Sequence, residues 1–199
     1  MKKISLLLSC LFIQLILLAQ KDTTLEHRLA EFMQVNEKME LNKVLDYTYA
    51  KLYTIVPREQ MLEVLQNIFN NEEMSIRLDS LRIDSIYPVF KLENGSYAKV
   101  IYSFNMFMAY KYSTEDSTST EEKTEKNDFM VSALGAQYGK DNVSIDPTTG
   151  SLKIQITSPM VAAKDQYAKQ WSFVNLKEKD PLTDRLFSKE VLKKLATYK

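Results

Sequence analysis

His27 is the chain's one imidazole and Cys10 its one thiol, so any chemistry resting on a zinc site or on a Ser-His-Asp triad would have to be built around a single residue. His27 stands in the run Glu26-His27-Arg28, and its helical neighbours, Glu31 and Thr23/Thr24, are polar. That environment reads as a solvated helix position. Carboxylates are the remaining acid-base groups. Asp79 and Asp84 flank Leu81 and Ile83, where either one, if buried in a concave sheet, would have a raised pKa; alternating outward, they would only keep the sheet soluble. Asp146 opens Asp146-Pro147-Thr148-Thr149-Gly150, which is turn chemistry.

The four glycines, Gly95, Gly135, Gly139 and Gly150, are too scattered for a phosphate-cradling loop. No cofactor is expected, and no metal site. The sequons Asn94-Gly95-Ser96 and Asn142-Val143-Ser144 read as surface turns. The stripe with most to offer is apolar: Tyr102, Phe104, Met106, Met108 and Tyr110 alternate along one strand face. Packed tightly, it is ordinary core. With helices standing off the sheet, the same side chains together with Trp171 or Phe173 would line a ligand cavity, tyrosine hydroxyls serving as polar handles and methionines as an adaptable wall.

The elements that must position these groups follow from periodicity. Leu25, Leu29 and Phe32 predict a first helix from Thr24, and Leu41, Val44, Leu45 and Leu52 a second. Val56-Pro57 breaks the pattern and starts a third, running to about Asn70. Met74, Ile76 and Leu78 then alternate, and Leu81 and Ile83 resume in the opposite phase, which predicts a bulge near Asp79-Ser80 in a strand or strand pair over 73–92. Asn94-Gly95 is a hairpin turn signal. The run Tyr97–Tyr112, apolar on one face and partly on the other, reads as a central, covered strand. Residues 113–128 hold six acids, two lysines and no apolar side chain, and are expected as a mobile acidic Ser/Thr-rich loop, followed by a short helix from Asp128 to Tyr138. A strand meander follows, with Trp171 and Phe173 in a strand near 167–176. Asp180-Pro181 and Ser188 then begin short C-terminal helices.

This order predicts an α+β domain, with N-terminal helices packed on a curved, mostly antiparallel sheet. Over 40–176, through the segment Asp46-Tyr47-Thr48-Tyr49-Ala50-Lys51-Leu52 and the succession of elements, the chain resembles the nuclear-transport-factor-two-like superfamily. That cone-shaped fold includes ketosteroid isomerase and scytalone dehydratase and has cystatin-like relatives. The resemblance implies a helix-capped concave sheet, and as an alternative function an isomerase or dehydratase using Tyr and Asp side chains. It carries over no catalytic residue.

Lys2 and Lys3 precede an apolar run from Ile4 to Ala19, followed by polar Gln20–Thr24. This is the layout of a secretory signal peptide at 1–19, too short to span a bilayer. The expected mature chain, 20–199, is one domain, exported to the periplasm or beyond the cell, with no membrane span after cleavage. Leu7-Leu8-Ser9-Cys10 also resembles a bacterial lipobox, so lipoprotein anchoring through Cys10 is the minor alternative. With 26 basic and 26 acidic side chains in all, no field for nucleic acid is present. The function expected is a non-catalytic binding or interaction module whose partner is a small apolar ligand or an envelope protein.

Overall fold

A computed structural model describes residues 23–111, 120–177 and 180–198. The expected signal peptide and Cys10 lie outside them. Helix α1 (Thr23–Glu37) turns Leu25, Leu29 and Met33 into the core at helical spacing. It ends in a Schellman motif: Met39 takes φ 55°, its N–H donates to the Asn36 carbonyl, and the Glu40 N–H reaches back to that of Val35.

The second helical segment is interrupted. Helix α2 (Leu41–Tyr47) stops because Thr48 bridges to Phe173 and the Tyr49 N–H donates to the Phe173 carbonyl at 2.9 Å. Leu52 therefore belongs to a separate 3₁₀ turn, Ala50–Thr54. Pro57 then precedes α3 (Arg58–Phe69).

The described strands form one antiparallel sheet, and with the helices they make the expected α+β fold with a curved sheet. Its strands are β1 (Met74–Ile86), β2 (Phe90–Leu92), β3 (Gly95–Tyr110), β4 (Val143–Ile145), β5 (Leu152–Lys164) and β6 (Ser172–Asn175). The order is β1-β3-β5-β4, with β2 paired to β3 and β6 to β5, so β3 is central as expected. The predicted bulge is present: Asp79 pairs with Asn105 but Arg82 with Ser103, and Ser80 between them has φ 57°. A second irregularity between Ile83 and Ser85 leaves Asp84 without a partner in the ladder.

The hairpin turn is centred one residue earlier than Asn94-Gly95. Glu93 and Asn94 take the positive φ values, 50° and 62°, and Gly95 closes the turn opposite Leu92. The glycine is needed for space, since a Cβ there would run into the Tyr97 ring. Helix α4 (Thr120–Tyr138) also begins earlier than Asp128. Residues 120–128 are thus helical, and 112–119 lie outside the described residues. This stretch is rich in Glu and Lys, good helix formers, so it needs no apolar face to be helical. Helix α5 (Pro181–Leu186) is capped by Asp180, and α6 (Lys189–Ala196) by Ser188, whose oxygens accept from the Leu182 and Val191 amides.

The register sorts side chains onto two faces. Ala98, Val100, Met160 and Ala162 lie on the first and meet α1, Trp171 and Phe173. Tyr97, Val161 and Ala163 lie on the second, under Tyr49 and the C-terminal helices. There the Asp165 carboxylate accepts from Tyr49 Oη at 2.5 Å and Tyr97 Oη at 3.4 Å, and from the Tyr167 and Ala168 amides. Desolvation, then the Asp165 contacts, push the Tyr49 hydroxyl far up, and Tyr97 up to about 12.

Asp165→Ala strands these donors and is expected to cost about 2–4 kcal/mol, with Asp165→Asn milder, as read by urea denaturation. Both tyrosine pKa values are raised on folding. Their contribution is therefore complete below about pH 10 and is lost as the pH climbs toward 12, which an absorbance titration followed alongside circular dichroism will show.

Candidate functional site

A cavity of about 370 Å³ opens on the first face, where the helices stand off the sheet. Its floor is Leu78 and Leu81 of β1, Tyr102 and Phe104 of β3, and Met160. Phe32, Met33 and Leu45 wall one side, and Met61 and Leu65 of α3 the other. This volume lies within the range of small-molecule sites. Tyr102 and Phe104 stack with centroids 5.8 Å apart, and Phe32 stacks on Phe173 at 4.9 Å. The polar groups are few: Tyr102 Oη donates to Asn175 Oδ1 at 2.9 Å, with Asn36, Thr48 and Lys177 also in the lining. Burial raises the pKa of Tyr102 against the opposing pull of its bonds to Ser158 and Asn175, so it is a neutral donor.

Of the residues singled out in the sequence, Tyr102, Phe104 and Phe173 come together here. Met106, Met108 and Tyr110 run further along β3, opposite Leu78, Ile76 and Met74, and do not line the cavity. Trp171 is buried against α1, its carbonyl accepts from Arg28 Nε at 3.3 Å, and it borders a separate surface depression with His27 and Glu31. The contributions of α3 and of Asn175 were not read from the sequence. Met61 and Leu65 stand at helical spacing in α3, but that spacing does not say which part of the sheet they meet.

His27 is exposed, at 77% of its side chain, and lies 3.4 Å from Glu31. The two candidate carboxylates occupy the second face, away from the cavity. Asp79 is bonded to Arg77 at 2.5 Å, and the hydrogen bonds from Arg77 and Ser80 hold its carboxyl below the usual range. For Asp84, 29% exposed, burial pushes the pKa up, but the Ser103 hydroxyl and Arg82 Nε (2.9 Å) outweigh it and leave the group lowered. Neither carboxyl is raised in pKa: each is bonded to an arginine two residues before it on the same strand, Arg77 for Asp79 and Arg82 for Asp84.

No helix among the described residues is long and apolar enough to cross a membrane. No protein-family model matches the chain, nor does any curated protein or solved structure at a significant level.

Ser103→Ala removes the hydroxyl that favours the charged form of Asp84, so its pKa is expected to rise toward the ordinary value of about 3.9. A carbon-13 carboxyl titration by NMR will read this. The linkage sign follows from the lowered folded value: the stability Asp84 contributes is in place above about pH 4 and is lost as the pH falls through that lowered pKa.

Proposed function

We propose that the chain is an exported, non-catalytic binding module that holds a small apolar molecule between its N-terminal helices and the curved sheet. The observation that carries this is the 370 Å³ cavity, walled mostly by Phe, Met and Leu side chains. Burial of an apolar ligand against such a wall is favourable in proportion to the area it removes from water. The space equals the liquid volume of about a dozen waters, at ~30 Å³ each, which sets the ligand at about a few hundred daltons. Tyr102 and Asn175 give it one polar end to orient against.

The N-terminal helices, packed on one face of the curved sheet, support the likeness to the cone-shaped superfamily. The non-catalytic reading is favoured over an isomerase or dehydratase by the carboxylates: Asp79 and Asp84 sit on the opposite face. Asp180, which does border the cavity, is engaged in capping α5 through the Leu182 amide. The apolar leader of residues 4–19 supports export.

Native mass spectrometry of the protein purified from its own cell without detergent is expected to show a non-covalent adduct of about a few hundred daltons, lost on denaturation, on a chain beginning near Gln20. Leu65→Trp and Leu78→Trp, each filling the cavity from a different wall, are expected to abolish the adduct in folded protein. Absence of an adduct on the wild type, or its persistence in both folded variants, overturns the reading.

A further inference from the structure

The second face carries another concavity, of about 470 Å³, whose lining is of a different kind. Ser103 and Asn105 of β3, Gln155 and Thr157 of β5, and Gln137 and Tyr138 at the end of α4 converge on it, with Arg82 at one side. Arg82 is the one charged residue in that lining, and its Nε is already bonded to Asp84 at 2.9 Å. The adjoining Arg77 is likewise matched by Asp79 at 2.5 Å. The groove is therefore polar without net charge.

Ser103 Oγ gives its single proton to Asp84. In the 2.9 Å contact between Ser103 and Thr157, Thr157 must then be the donor, so the free lone pairs of its oxygen are left for a ligand. Asn105 and Gln155 face each other across the β3-β5 ladder, and their side-chain amides have no hydrogen-bond partner among the described residues. Each offers donors and an acceptor side by side, as does the neighbouring Gln137. The remaining Arg82 nitrogens add donors. The Tyr138 ring adds an apolar surface.

We propose that this groove binds a neutral saccharide. Paired amides beside hydroxyls complement a ligand whose every hydroxyl both donates and accepts, and whose C–H faces suit an aromatic ring. An anion would find no unmatched cation here, and an apolar ligand would strand the amides. An extended peptide would find only the edge of β1 to join, and there the register shifts after Asp79 and after Ile83 interrupt the row of backbone groups. Ser80, held at φ 57° in the bulge, lies in the lining too, at the kind of backbone irregularity that re-aims side chains beside binding sites. This site opens on the opposite face from the apolar cavity, with Phe104 in both linings, and the proposal does not rest on the function given to that cavity.

The test is calorimetric titration of the purified full chain with neutral hexasaccharides (maltohexaose, cellohexaose, xylohexaose and chitohexaose), with a hyaluronan hexasaccharide as the charged comparator. At least one neutral sugar is expected to bind with a dissociation constant of about 1 mM or tighter, unchanged by NaCl up to about 1 M. Asn105→Ala with Gln155→Ala is expected to weaken it about tenfold or more at an unchanged thermal midpoint. Exposed Gln155→Ala alone serves if the pair does not fold, and Leu65→Trp should leave sugar binding intact. No neutral sugar bound at about 10 mM, binding undiminished in the groove variants, or a salt-sensitive preference for hyaluronan overturns the proposal.

Discussion

The short bridge at Thr48 and Tyr49 decides how the layers of this protein are arranged. By donating the Tyr49 N–H to the Phe173 carbonyl, the chain leaves its helical layer and crosses the edge of the sheet at β6. Leu45, three residues before the bridge, lines the first-face cavity. Tyr49 lies in the second-face core, stacked on Phe187 at 5.3 Å and bonded to Asp165. Two side chains four residues apart thus serve different places, Leu45 the cavity and Tyr49 the core that holds the C-terminal helices. After the 3₁₀ turn the chain comes back to the first face, where Leu52 and then Met61 and Leu65 of α3 line the cavity.

The length of β3 falls into two regimes. Its first residues, Tyr97, Ala98 and Val100, are buried from both sides, as a central strand with two cores requires. From Phe104 onward its residues are only half-buried. Both concavities occur at this transition, one apolar and one polar, and the alternation of side chains along a single strand gives them their opposite characters.

What was legible in the sequence was local. The alternation of Met74, Ile76 and Leu78 against Leu81 and Ile83 announced the bulge, and Asp180 and Ser188 announced the caps, because each of these signals is complete within a few residues. The break after Tyr47 was not legible, since its cause is a hydrogen bond to a strand far along the chain. The early start of α4 was missed for the opposite reason: a helix made of Glu, Lys and Thr has no apolar stripe to detect. Tyr102 and Phe104 were correctly placed on one apolar face, but the extent of the stripe that lines the cavity depends on where α3 lies. The polar groove had no signal at all, because Asn105, Gln155 and Gln137 meet only through strand register and helix placement.

The two irregularities in β1 have a bearing beyond the groove they shape. β1 is an outer strand of the sheet, thirteen residues long, and a straight strand of that length would offer a continuous row of unpaired amides and carbonyls to any other extended chain. Interrupted at Ser80 and Asp84, and carrying Arg77, Asp79, Arg82 and Asp84 along its length, it is a poor template for strand addition. The kinks that turn side chains toward a ligand also guard the protein against pairing with copies of itself, so straightening β1 would put solubility at risk as well as binding.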